Sequence, residues 1–379
     1  MPFRSCEVFQ PGGLYYGVNT QTKHIILADR KTLKCPNGIV LGTPGSGKSF
    51  FAKREMANAF FATNDHILIL DPENEYTALT EQLHGQTIYL APDSHSYLNP
   101  MDLDLSTDVG ESPMLMQADF LLSQCELMMA SYGNPLMPIE KSLIDRCISL
   151  VYRDYLKNPR PENMPVLGDL YQCLREQHNS RADDLATAME IYVTGSLSYL
   201  NHRTNVDLNN RMVCYNTSKL GQGLKKLVMS NVQKHIWQRT AVNRYAGITT
   251  RIFLDEFHLL LKEPQTAAYT AEIYKRFRKW NGIPTSLTQN VKDLLDSSEI
   301  ENILENSDFV LMLNQGASDR NILAQRLGIS PQELSHVTNS SEGEGLLFFG
   351  DKIIPFEDKF PRDTQLYRVM TTKPSDLAA

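Results

Sequence analysis

Gly42-Thr43-Pro44-Gly45-Ser46-Gly47-Lys48-Ser49 constrains this chain more than any other stretch, because it follows the apolar run Gly38-Ile39-Val40-Leu41 and precedes an amphipathic segment opening at Phe50. The order is strand, glycine loop, helix. A glycine-rich turn at a helix N-terminus can point its backbone N–H groups inward around an anion, which is the geometry of a phosphate cradle. Gly42, Gly45 and Gly47 permit the turn; Lys48 reaches the β- and γ-phosphates as a point charge, and the Ser49 hydroxyl takes one position on a magnesium ion. A chance match in a chain of this length has odds of roughly one in a hundred. The competing reading is a glycine turn that caps a helix and leaves a solvated lysine. The expected nucleotide-contacting set is Gly42, Thr43, Pro44, Gly45, Ser46, Gly47, Lys48, Ser49 and Phe50.

With 379 residues the chain can bury a large core and holds two or three domains, or one with a big insertion. Its net charge of −7 and pI of about 5.8 supply no overall basic field for a DNA backbone, so any nucleic-acid contact has to be local. Six scattered cysteines without a CxxC pair, and nine histidines without HExxH spacing, point to a reducing compartment and no structural zinc. Apolar runs such as Ile67 to Leu70 and Phe309 to Leu313 fall far short of the ~20 residues of a membrane span. The N-terminus has no apolar signal core. A cytosolic protein is expected, with peripheral attachment to a membrane machine left open.

Residues 1–37 read as a few antiparallel strands with turns at Pro11-Gly12-Gly13 and Asn19. A helix over roughly 47–61 and a buried strand at His66 to Leu70 complete a first βαβ unit, and Thr87 to Leu90 is a further short strand. From about Glu111 to Leu200 helical patterns dominate, broken at Gly133-Asn134-Pro135 and between Pro159 and Pro165. Met114, Met116, Met128 and Met129 there suit either gap-filling core or a partner groove. Strand character returns at Arg211 to Tyr215, then a long helix with Leu220, Leu224, Leu227, Val228 and Ile236 on one face. Strands at Arg251 to Leu254, Ile283 to Leu287, Asp308 to Leu313 and Gly345 to Phe349 follow, with a helix through Ile273, Phe277 and Trp280. This alternation predicts an α/β fold with a mainly parallel twisted sheet flanked by helices, interrupted by an all-α insertion. The expected divisions are 1–110, 111–203 and 204–379.

The second strong signal is the apolar strand Arg251-Ile252-Phe253-Leu254 ending in Asp255-Glu256. Such a strand is expected beside the glycine loop, with Asp255 in the magnesium shell and Glu256 polarising the attacking water. His258 could sit near the site, but as a lone histidine opening the apolar run Leu259-Leu260-Leu261 it reads rather as packing or capping and is left outside the catalytic set. Gln289 closes its strand where it can bond the γ-phosphate or the water; alternatively, since Asn290 reads as the N-cap of a helix over Val291 to Leu295, the stretch is a purely structural turn. In Asp71-Pro72-Glu73-Asn74-Glu75-Tyr76, Glu73 or Glu75 would bind a water or a neighbouring subunit; alternatively the stretch is a proline turn with Asn74 capping the next helix. Within Lys275-Arg276-Phe277-Arg278-Lys279, Arg276 and Arg278 offer an arginine finger, a small basic patch for DNA, or a solvated face, and Arg278 is the residue assigned as finger. No Asn-Lys-x-Asp element for guanine is present, so ATP is the expected nucleotide.

These motifs, with Leu98-Asn99-Pro100-Met101-Asp102, Thr204-Asn205-Val206-Asp207-Leu208 and Gly343-Glu344-Gly345-Leu346-Leu347, resemble the large ATPase of conjugation and type IV secretion systems. That is the VirB-four or TraC/TrsE-like kind, within the FtsK/HerA group of RecA-like motors. The resemblance spans almost the whole chain and is most specific at Asp71 to Tyr76 and from Trp280 to Gln289. It implies a RecA-like P-loop core in two parts (1–110 and 204–379) around the helical insertion. It further implies Mg-ATP hydrolysis and action as a homo-oligomer, often a hexamer, at the cytoplasmic face of a secretion channel. Lys48 and Ser49 would serve nucleotide and magnesium, Asp255 and Glu256 the second acidic motif, and Gln289 sensing. The implied partners are other secretion-system components, including the coupling ATPase and inner-membrane channel proteins. Members usually carry a large N-terminal domain that meets the membrane complex; fewer than forty residues precede the strand of the glycine loop here, so a C-terminal ATPase part is expected. A DNA translocase or helicase of the same fold, and a nucleotide-gated scaffold, are the alternatives.

Overall fold

The structure, a computed structural model, describes residues 7–105, 112–129, 136–289, 298–373 and 376. In chain order the elements are β1 (Leu14–Asn19), β2 (Ile25–Ala28), β3 (Gly38–Leu41), α1 (Lys48–Ala62), β4 (His66–Asp71), α2 (Thr77–Gln82), β5 (Gln86–Tyr89), α3 (Pro113–Met129), α4 (Pro138–Val151), α5 (Arg153–Lys157), α6 (Leu167–Arg175) and α7 (Ser180–Val193). Then come β6 (Met212–Asn216), α8 (Gln222–Tyr245), β7 (Thr250–Leu254), α9 (His258–Leu261), α10 (Pro264–Phe277), β8 (Gly282–Thr288), α11 (Ser298–Glu305), β9 (Phe309–Met312), α12 (Ala317–Leu327), α13 (Pro331–Leu334), β10 (Glu344–Phe349), β11 (Lys352–Glu357) and α14 (Gln365–Met370). The expected break at Gly133-Asn134-Pro135 and the helix over Val291 to Leu295 with its cap Asn290 lie outside the described residues.

Eleven strands form one sheet in the order β2-β1-β11-β10-β9-β3-β8-β7-β4-β6-β5. The stretch β9-β3-β8-β7-β4 is parallel, and its strands are buried on both faces; β3, β4 and β9 are mainly apolar, whereas β8 buries Thr285, Ser286 and Thr288 as well. The sheet is continued antiparallel by β10, β11, β1 and β2. One expectation is corrected here: β7, which ends in Asp255 and Glu256, is not the neighbour of β3. β8 pairs in parallel with both and lies between them. Its seven residues are all buried, so it is satisfied only with a strand on each side, and that place brings Gln289 between the loop and the acid pair.

The chain divides into two compact units, 1–87 with 209–214 and 243–379, and 88–208 with 215–242. The first holds the core under α1, where Phe51 stacks against Tyr16 and Phe309 and packs with Ala52, Met56, Ile69 and Leu311. A buried ionic network ties this core together at the starts of the parallel strands. Glu55 Oε1 accepts from Tyr16 Oη at 3.1 Å, Arg30 Nη1 at 2.9 Å and Arg251 Nη1 at 3.0 Å. Arg30 also donates to Thr285 Oγ1 on β8 at 2.8 Å, and Arg251 Nε to Asp65 Oδ2 at 2.9 Å. Opposite charges with satisfied donors make such burial tolerable.

The second unit contains the expected helical stretch 111–203 and extends past it on both sides. Its centre is Leu98 to Asp102, a loop whose backbone is taken up by side chains. Asn99 Nδ2 donates to Pro165 O at 2.8 Å, Gln117 Nε2 to Pro100 O at 2.9 Å, and Lys234 Nζ to Pro100 O at 2.9 Å and Asp102 O at 2.6 Å. Met128 and Met129 are core residues; Met114 and Met116 are half-buried.

Candidate nucleotide site

The glycine loop leaves β3 and turns into α1 through Gly47, whose φ of +100° places it in the left-handed region that favours glycine. At Gly42 a Cβ would stand 2.4 Å from Ser46 Oγ, so a side chain there would close the turn on itself. Ser46 Oγ donates to Thr43 O at 2.7 Å, and Thr43 N to Asn314 O at 2.9 Å, which pins the loop to the segment after β9. Lys48 folds back, its Nζ donating to Gly42 O at 2.8 Å and Thr43 O at 3.2 Å. Burial lowers its pKa while the Glu256, Asp255 and Glu75 carboxylates pull it up. The Ser49 hydroxyl lies beside that of Tyr76. Phe50 packs against Phe360 and Tyr367, with ring centroids 5.9 and 5.5 Å away.

Asp255 stands at the end of β7, its N–H on Leu70 O at 3.2 Å and its Oδ1 accepting the Glu256 N–H at 2.9 Å. Burial, then the nearby Glu75 and Glu256 carboxylates, push its pKa up to about 8. Glu256 has φ +44°, uncommon for a residue with a Cβ and a known place for backbone strain at working sites. Gln289 Nε2 donates to its Oε1 at 2.8 Å. His258 Nδ1 lies 3.1 Å from its Oε2. The histidine expected to pack or cap therefore faces the acid; its position depends on the left-handed turn at Glu256, which no pattern in the sequence announces.

Asp71 organises the loop after β4, accepting the Glu75 N–H at 2.9 Å and the Tyr76 N–H at 3.0 Å. Asn74 has φ +59°, and its Oδ1 accepts from the hydroxyl of Thr77, the first residue of α2, at 2.9 Å. Glu73 is exposed, whereas the charge of Glu75 bears on Lys48, Lys53 and Asp255, and its Oε2 is buried without a hydrogen bond. Arg278 is exposed and away from this edge, Nη1 donating to the thiol of Cys35 at 3.5 Å ahead of β3; Arg276 is paired with Glu272 at 2.5 Å.

These residues suit a magnesium nucleotide. Among the described residues no three His, Cys, Asp or Glu side chains are placed to hold a metal unaided. A magnesium ion here would rest on Ser49, Asp255 and phosphate oxygens, the mixed shell that this ion prefers. Asp255, crowded by other acids, gains from a cation beside it.

Fold and site together define a P-loop nucleotide-binding domain with a RecA-like sheet. A profile of the TraG P-loop domain matches residues 26–342, and the chain belongs to that family. Among solved structures, VirB4 of Thermoanaerobacter pseudethanolicus is 22% identical over 98% of this chain and 99% of its own, with a TM-score of 0.83. Plasmid coupling protein TrwB in complex with the non-hydrolysable GTP analogue GDPNP is 13% identical over 93% and 92%, with a TM-score of 0.58. TrwB in complex with ADP and Mg2+ is 12% identical over 92% of each chain, with a TM-score of 0.57. At these identities the likeness is one of fold. No curated protein sequence matches the chain significantly.

Proposed function

We propose that this chain hydrolyses Mg-ATP as the motor ATPase of a conjugative type IV secretion system, working as a homo-oligomer with the system's other components at the inner face of the cell membrane. The observation that carries the reading is the convergence of Lys48, Asp255, Glu256 and Gln289 at one sheet edge, with Gln289 bonded to Glu256 at 2.8 Å. Family membership and the fold shared with VirB4 and TrwB support the setting. No helix among the described residues is long and apolar enough to cross a membrane.

In this mechanism Lys48 exchanges its bonds to Gly42 O and Thr43 O for β- and γ-phosphate oxygens. Ser49 and Asp255 would hold magnesium, which when bound would supply charge neutralisation at the phosphates. Glu256 accepts a proton from the water whose oxygen bonds to the γ-phosphorus as the bond to the ADP oxygen breaks, while Gln289 holds the carboxylate and senses the γ-phosphate. Arg278, exposed on its own subunit, is the finger offered to a neighbour's nucleotide.

Steady-state phosphate release with and without DNA, alongside oligomer mass, tests this. Lys48→Ala is expected to lose nucleotide binding, and Glu256→Gln to bind without turnover, by about 10²-fold or more. Undiminished turnover in both would sink the assignment. Mixing inactive Arg278→Ala with Lys48→Ala subunits should restore activity if the finger acts between subunits.

A further inference from the structure

We propose that His258 is a positioning residue for Glu256, supplying through its Nδ1–H the second of two donors that orient the catalytic carboxylate; the inference rests on the ATPase reading above. Glu256 has two oxygens and the structure accounts for them separately. Oε1 takes the Gln289 amide, and Oε2 faces His258 Nδ1 at 3.1 Å. Both Oε2 and Nδ1 are buried, and neither makes an aligned hydrogen bond, so that their 3.1 Å approach is the polar contact each has. Each group is thus the polar surface available to the other, and leaving either alone would cost its full desolvation.

The backbone makes the pairing a built one. The turn at Glu256 is closed by Leu259 N on Glu256 O at 2.9 Å, and Phe257 N is bound to Leu287 O of β8 at 2.9 Å. Phe257 and Leu260, on either side of the histidine, are fully buried anchors. His258 therefore starts α9 at a fixed place, and the imidazole returns towards the acid two residues before it. The other charged groups of the site do not compete: Lys48 is bonded to loop carbonyls, and Asp255 to the Glu256 N–H.

Chemistry then selects the tautomer. A bare Nδ1 lone pair would oppose the carboxylate lone pairs, so Nδ1 carries the hydrogen, whether the ring is neutral or charged. With one donor on each oxygen the carboxylate cannot rotate, and a remaining lone pair stays directed at the attacking water. The contact is close but off line; catalytic hydrogen bonds often reach full alignment only in the Michaelis complex.

The test compares His258→Phe, which keeps a planar ring and loses the donor, with His258→Asn, whose amide reaches a position near Nδ1. In the full chain, His258→Phe is expected to lower kcat about tenfold or more, with KM and the affinity for a fluorescent ATP analogue within about twofold. His258→Asn should retain about half of the wild-type kcat or more. Adding His258→Phe to Glu256→Gln should cost nothing further. Wild-type turnover in His258→Phe while Glu256→Gln is inactive would overturn this inference alone, and activity in Glu256→Gln would overturn the ATPase assignment instead. Equal losses in Phe and Asn variants with lowered melting would show a packing role, and faster turnover in His258→Phe a restraint; either overturns the proposal.

Discussion

In the proposed mechanism Glu256 abstracts a proton while surrounded by other acids, and the donor on each side of it decides whether it can. Gln289→Glu keeps the shape of the side chain but replaces the N–H donated to Oε1 with a like charge. Turnover should fall by about 10- to 100-fold with nucleotide affinity nearly unchanged, since the residue acts on the water step and not on the phosphate cradle. A fall in affinity with kcat preserved would instead make Gln289 a binding residue. At this scale the residues of the loop and the acid pair were legible, because backbone geometry and metal charge demand particular side chains at particular spacings. His258 was legible only as one alternative, because its approach to Glu256 follows from one backbone angle of +44°. Glu75 and Asn74 were ambiguous for the same reason, a left-handed residue in the loop after β4.

Elements with strong apolar runs were legible because burial on both faces leaves a continuous signature, as in β3, β4 and the Ile252-Phe253-Leu254 end of β7. Their order was not, since it depends on which helices cover which strands, information spread over the whole chain. The intercalation of β8 is the clearest instance. In the second unit, α8 illustrates an element held by a buried cation. Lys234 is buried, and burial lowers its pKa from 10.5 to about 7 against the opposing pull of Asp102. Between those values the unfolded chain keeps a proton that the folded chain has released, so stability rises with pH; below about 7 both forms are protonated and the contribution is flat. Denaturant unfolding followed by helix signal should show this slope, at most about 1.4 kcal/mol per pH unit, relative to Lys234→Met, which lacks the titrating group. Parallel pH profiles for the two proteins would show that Lys234 is not the source.

Over the whole molecule the charge is −7, and of the basic run at 275–279 Arg276 is already neutralised by Glu272. Turnover should therefore respond to DNA by less than about twofold and show little change between 50 and 200 mM salt, where a protein neutralising several phosphates would lose orders of magnitude in affinity. A large stimulation that collapses with salt would favour the translocase reading. The unit boundaries, too, were only partly legible, because the helical stretch is completed by residues on both sides of it. The ionic network at the strand starts has a practical corollary. Arg30 and Tyr16 belong to the lead-in before β3, yet they supply two of the three donors on Glu55, and Arg30 reaches across to β8. A chimera that joined a foreign lead-in to this β3 would strand a buried carboxylate on Arg251 alone, so the first thirty residues and the nucleotide core are exchangeable between relatives only as one inheritance.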